Sequence, residues 1–202
     1  MAQKIRIERF SDKNINDYEN LTKLDQNGKL CYCSFWHAKW ASIDEYDKVK
    51  EDNPNRLKNC VIDKMRSNFH VGAIAYIDEE PGAWISVGPL TDFYWSWKRV
   101  AQLGISAQNI AGIMCFTIAP NFRGKGLQKH ILIELINYGK QQKWTSIEAY
   151  PFSNEAILKH GDALKWPGLT KGYEQSGFTK TQDHWLSSDD YKRFIYNIDL
   201  EL

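Results

Sequence analysis

The run PNFRGKGLQKHILIELINYGK, residues 120–140, joins a glycine-rich turn carrying Arg123 and Lys125 to an amphipathic helix. Gly124 and Gly126 remove Cβ atoms where the backbone has to curl and come close to a ligand, so successive N–H groups can point into one concavity. Leu127, Ile131, Leu132, Leu135 and Ile136 recur at helical spacing. That places the turn at the helix N-terminus, where unpaired amides and the macrodipole favour an anion. The stretch reads as a phosphate cradle into which a pyrophosphate fits.

What precedes the turn narrows the ligand. Ile110–Ile118 (IAGIMCFTI) is apolar, rich in β-forming residues and closed by Ala119-Pro120, so the order is strand, turn, helix. A P-loop shares that order but ends in Gly-Lys-Ser/Thr to hold Mg²⁺, whereas Gly126 is followed by Leu127 and Gln128. A dinucleotide fingerprint needs a third glycine, and Lys129 stands there. Both nucleotide readings fail on side chains.

The order Ile118, Pro120, Arg123-Gly124-Lys125-Gly126 instead resembles the acetyl-CoA motif of the GNAT acetyltransferase superfamily, R/Q-x-x-G-x-G/A. Arg123 and Gly126 match its first two fixed positions. The third, a small residue in the family, is Gln128 here, so its amide can serve only if its side chain turns away from the pyrophosphate. Downstream, Ser153-Asn154-Glu155-Ala156 and Tyr173-Glu174-Gln175-Ser176-Gly177-Phe178 resemble the family's N-x-x-A and Y-x-x-x-G-F. The gap between them is longer than the family's short helix: the insert 158–171 carries Pro167-Gly168, which argues for a loop or a broken helix. The resemblance extends over residues 55–200 and is less diagnostic before them.

The resemblance implies an α/β (α+β) fold: a mixed, mostly antiparallel central sheet flanked by helices, with the CoA-binding strand-turn-helix at 110–140. It implies acetyl-CoA as acyl donor and an amine acceptor. The pyrophosphate is expected on the amides of Arg123, Gly124, Lys125, Gly126, Leu127, Gln128 and Lys129. The pantetheine arm is expected to pair like an added strand with Phe116, Thr117 and Ile118, and Asn154 to contact that arm. Tyr173 occupies the position of the family's usual acid, the donor of a proton to the departing thiolate. The family often places a glutamate base on the CoA strand, but 112–118 holds no carboxylate or histidine. Glu148 is the substitute, since strand alternation sets it on the face of Tyr150 beside the place where two neighbouring strands splay. His70, His160, Asp92 and solvent are further candidates for that role.

Bulk properties fit without adding specificity. The chain has 202 residues and a net charge of +1, from 26 Lys plus Arg against 25 Asp plus Glu. This suits a single domain over 1–202 and gives no basic field for nucleic acid or an anionic membrane. No apolar run reaches the ~18 residues a membrane span needs, so a cytoplasmic protein is expected. A homodimer stays open. Cys31-Tyr32-Cys33 lacks the spacing of a zinc knuckle and Cys60 and Cys115 lie in separate apolar contexts, so no metal is expected.

Along the chain, 4–10 reads as a strand and 12–25 as a helix capped by Ser11 or Asp12 and stopped at Asn27-Gly28. The aromatic stretch 31–46 resists assignment, and 56–67 reads as a helix. Two strands, 70–78 and 83–90, are joined by a hairpin turn at Glu79-Glu80-Pro81-Gly82. Strands at 146–150 and 191–200 complete the pattern. Trp36, Trp40, Trp84, Trp95, Trp97 and Trp166 lie in segments that could border an acceptor, and aromatic walls suit a cation. The function expected is transfer of an acetyl group to a small-molecule amine. The rivals are a non-catalytic acyl-CoA sensor and a protein N-acetyltransferase docking through 31–46 and 158–171.

Overall fold

The computed structural model describes residues 3–24 and 31–201. Its strands are β1 (Ile5–Arg9), β2 (Ala73–Ile77), β3 (Glu80–Pro89), β4 (Ile110–Ile118), β5 (Ser146–Ala149), β6 (Thr179–Asp183) and β7 (Phe194–Asp199). They form one sheet in the order β1-β2-β3-β4-β5-β7-β6. Every pairing is antiparallel except β4 with β5. The helices are α1 (Ile15–Leu24), α2 (Ile43–Asp52), α3 (Pro54–Arg66), α4 (Trp97–Leu103), α5 (Leu127–Gln141), α6 (Asn154–His160) and α7 (Thr170–Glu174).

The parallel pair creates the feature that positions the site. β5 keeps register with β4 only from Ile110↔Ser146 to Ile113↔Ala149, while β3 stays paired with β4 as far as Ala83↔Ile118. Beyond Ile113, one edge of β4 therefore has no strand beside it. β5 stops because Pro151 follows Tyr150 and cannot donate to a ladder. α5 then packs Leu127, Ile131, Leu132 and Leu135 into the core at the period read from the sequence.

Several expectations shift in detail. The 12–25 helix opens as a 3-10 turn at Asp12–Asn14, where Ser11 N–H donates to Asn14 Oδ1 at 2.9 Å; the stop at Asn27-Gly28 lies outside the described residues. The 56–67 helix begins at Pro54, a residue whose missing N–H costs nothing in a first turn. The hairpin turn is tighter than four residues: Asp78 and Glu79 alone make it, with φ of 50° and 69°. Two left-handed central residues match the twist of the flanking strands. Lys4 N–H donates to Asp78 Oδ1, and Lys4 and Arg6 pair with Glu79, so neighbouring charge holds the strained pair. Elements that were not anticipated include α2 and β6. α2 is capped by Ser42 Oγ, which accepts from Glu45 N–H at 3.1 Å. β6 is exposed along its whole length and lies at the sheet edge, where Lys180 and Asp183 discourage pairing with another chain.

Candidate functional site

The turn between β4 and α5 curls at two glycines. Gly124 and Gly126 have φ of 74° and 68°, a region that L side chains enter at a cost, and a Cβ built at either meets nothing within 4 Å. The space in front of both is therefore open. The amides of residues 124–126 have no backbone acceptor among the described residues, so they remain available to an anion. Arg123 Nε donates to Ile118 O at 2.6 Å, tying the turn to the end of β4. A cavity of about 440 Å³ opens here, lined by Phe116, Thr117 and Ile118 on the β4 edge and by Arg123, Gly124, Gly126, Leu127 and Gln128 on the turn.

The insert 158–171 forms the opposite wall of that cavity, with Asp162, Lys165, Trp166, Gly168 and Leu169. It does more than border it. Phe116 N–H, on the β4 edge that β5 leaves uncovered, donates to Trp166 O at 2.7 Å. Gln128 holds the same segment from the other side: its Nε2 donates to Leu169 O and its Oε1 accepts from Leu169 N–H, both at 3.1 Å. The side chain that departs from the GNAT motif thus turns to the insert. A Cβ on Gly172 would stand 2.4 Å from Gln128 Cδ, which shows how closely α7 and this amide approach.

Tyr173 is fully buried one layer behind that wall. Its hydroxyl donates to Pro167 O at 2.5 Å, and burial raises its pKa well above the ordinary phenol value, keeping the proton on. It does not itself line the cavity. Asn154 begins α6, and its Oδ1 accepts from Thr170 Oγ1 at 3.3 Å. Both residues therefore hold the insert, Tyr173 in its middle and Asn154 at its end.

A second cavity of about 370 Å³ lies on the far side of Trp166, which lines both. Its walls include Phe35, Trp36, Tyr46, Lys50 and Arg193. Cys31, Cys33 and Cys115 share one wall, correcting the expectation that Cys115 stands in an unrelated context. Hydrogen bonding with Cys115 and Cys31, then burial, holds the Cys33 thiol well above its usual pKa. Of the six tryptophans expected near an acceptor, Trp36 and Trp166 line this cavity. Trp84 and Trp40 are core residues, Trp95 Nε1 donates to Ala38 O at 3.0 Å, and Trp97 is exposed.

The residues considered as base are engaged elsewhere. Glu148 is buried and lines neither cavity; Arg99 Nε donates to its Oε1 and Oε2 at 3.1 and 3.0 Å, Arg99 Nη2 donates to Oε1, and Tyr150 Oη donates to Oε2 at 3.0 Å. Alternation does set it on the face of Tyr150, but its register partner Gly112 lies below the point where β4 and β5 part. Both carboxylate oxygens are thus taken by Arg99 and Tyr150 and are not turned to either cavity. His70 is buried against Tyr138 and Trp144, its Nε2 is 3.2 Å from Tyr138 Oη, and burial pushes its pKa down to about 3. His160 stacks on Tyr191 and pairs with Asp190, and Asp92 Oδ2 accepts from His70 N–H.

No protein-family model matches the sequence, and no curated protein does. Solved structures do match. The aminoglycoside acetyltransferase AAC(6')-Ib in complex with coenzyme A superposes with a TM-score of 0.60 at 14% identity, covering 97% of this chain and 95% of that one. The same protein with coenzyme A and kanamycin gives the same values. An uncharacterized Bacillus halodurans protein, bh2621, gives 0.57 at 11% identity, covering 98% and 84%. With β4 and β5 splaying beside a glycine turn and helix, and with this match over nearly its whole length, the chain has the GNAT acetyltransferase fold.

Proposed function

We propose that the protein is an acetyl-CoA-dependent N-acetyltransferase acting on a small-molecule amine. The observation that carries this reading is the meeting, in one cavity, of a β4 edge that no strand covers, open glycines with positive φ and the N-terminus of a 15-residue helix. The amides from Gly124 to Lys129 hold the pyrophosphate; the expected Arg123 N–H donates to Pro120 O at 3.2 Å instead. Phe116, Thr117 and Ile118 accept the pantetheine arm as an added strand, for which Phe116 N–H exchanges Trp166 O for the ligand. An amide of that edge polarises the thioester carbonyl; a donor placed at a developing oxyanion is worth about 3 kcal/mol.

The acceptor reaches the thioester from the second cavity, past Trp166. Its amine attacks the carbonyl carbon and the C–S bond breaks. The departing sulfur takes a proton from Tyr173, once that hydroxyl leaves Pro167 O, and the phenolate is reprotonated through water by the second proton that the acceptor nitrogen loses as the amide forms. The ammonium proton of the acceptor passes to water, because Glu148 stays with Arg99 and orients the β5 end of the wedge. A second reading, an acyl-CoA sensor without turnover, is favoured by the commitment of both Glu148 and Tyr173 to protein partners.

Calorimetry with acetyl-CoA and a CoA-release assay over an amine panel test the reading. Gly126→Val forces a β-branched residue to φ of 68° and sets a side chain in the open space. It is expected to weaken acetyl-CoA binding at least tenfold, and equal affinity would remove the cradle. Binding without CoA release across the panel would leave the sensor.

A further inference from the structure

Arg193 is 4% exposed and forms part of the wall of the second cavity. Its guanidinium lies between three rings, 5.6 Å from Trp36, 4.9 Å from Phe152 and 4.8 Å from Trp166. Nε donates to Tyr150 O at 2.7 Å, which fixes the plane of the group. Nη2 is buried with no hydrogen-bond partner, and no carboxylate pairs with Arg193 among the described residues. Burial lowers its pKa to about 9, so it remains a cation at neutral pH. A buried cation with an unfilled donor is costly unless an anion reaches it.

The rest of the cavity points the same way. Among the described residues its charged lining residues are Lys50 and Arg193, with no aspartate or glutamate, while Phe35, Trp36 and Trp166 supply apolar surface. A polycationic acceptor would meet two like charges and no counter-charge. The aromatic walls that suit a cation already hold one, supplied by the protein.

We infer that the second cavity binds a carboxylate on an apolar, aromatic-sized body, held by the guanidinium of Arg193, so that the acceptor is an amino acid or a similar amino carboxylate rather than a polyamine. The assignment of this ligand as acceptor rests on the acetyltransferase reading; the carboxylate site does not. Arg193 supplies the unfilled Nη2 donor in a plane fixed by the Nε bond to Tyr150 O, a charge-assisted donor that suits a carboxylate. The rings of Trp36 and Trp166 then flank the ligand's body.

The experiment measures tryptophan-fluorescence titration of the protein without acetyl-CoA, using 3-phenylpropionate, its neutral amide 3-phenylpropionamide, and phenethylamine. The carboxylate is expected to bind at least about tenfold more tightly than either, the scale of one charge-assisted hydrogen bond. Arg193→Gln should abolish that preference, and Arg193→Lys, which keeps a cation without the planar fork, should retain part of it. Equal affinities in the wild-type protein, or a preference unchanged in both variants, would overturn the inference, and the wild-type comparison decides even where a variant does not fold. Turnover then separates the two readings: L-phenylalanine should release CoA at least tenfold faster than phenethylamine. A carboxylate preference in binding with no CoA release from either amine would retain the site and remove the acetyltransferase.

Discussion

Replacing Gln128 by alanine removes both hydrogen bonds that clamp Leu169, the two 3.1 Å contacts between one side-chain amide and one residue's backbone. Each is worth roughly 0.5–1.5 kcal/mol net. Because Gln128 is only partly buried, about 1–2 kcal/mol is the expected loss in the closed position of the insert. That is roughly a 5- to 30-fold rise in the population of its opened form. Phe116 N–H, now bonded to Trp166 O, is freed in that form. The apparent Kd of a ligand that needs an opened state is its intrinsic Kd divided by the population of that state. Gln128→Ala should therefore bind coenzyme A about 5- to 30-fold more tightly while losing overall stability by no more than ~2 kcal/mol. Calorimetry reads the affinity, and hydrogen exchange at the Phe116 and Leu169 amides reads the opening. An unchanged Kd with unchanged protection at Phe116 would refute the idea that the insert and the ligand compete for one edge.

Tyr173→Phe keeps the ring but removes the proton and its bond to Pro167 O; kcat should fall ~10²-fold or more while acetyl-CoA binds no more weakly than to wild type, since the insert loses a tie, and unchanged stopped-flow rates would make Tyr173 a packing residue. Glu148→Gln leaves Arg99 and Tyr150 facing a neutral amide. Stability measured by denaturant should drop about 2–3 kcal/mol, less than the 3–5 of a fully buried pair because Arg99 keeps some water. Its pH–rate profile should run parallel to wild type, and loss of the acidic limb would instead make Glu148 the base. Burial depresses the pKa of His70 to about 3 and of His184 to about 2. The unfolded chain, with values near 6.5, therefore takes up protons first, so stability is full above about pH 6.5 and falls below it, by up to ~1.4 kcal/mol per pH unit for each histidine. Urea titrations between pH 7 and 4 check this, and His70→Gln should flatten the slope.

What could be read from the sequence was local. The 110–140 unit was legible because strand, glycine turn and helix each carry their own signal within a few residues. β6 was not, since TKTQD is exposed on both faces and shows no alternation. The insert was visible as a Pro-Gly interruption, but its docking onto Phe116 and Gln128 joins residues about 40 to 50 positions apart, which no periodicity records. Arg193 sat unmarked in a terminal strand because its three rings come from segments around residues 36, 152 and 166. Glu148 shows the reverse case. Alternation placed its side chain correctly, but Arg99, 49 positions earlier, fills the carboxylate.

One indole, that of Trp166, forms part of both cavities, and its own carbonyl closes the β4 edge. Moving that residue aside for a donor on the β4 side changes the shape of the acceptor side in the same motion. If the two cavities take donor and acceptor as proposed, the ligands are coupled: whatever free energy one contributes to displacing Trp166, the other no longer has to supply. Calorimetry should show this as reciprocal coupling, with acetyl-CoA changing the Kd of the second-cavity ligand by the same factor as that ligand changes the Kd of acetyl-CoA.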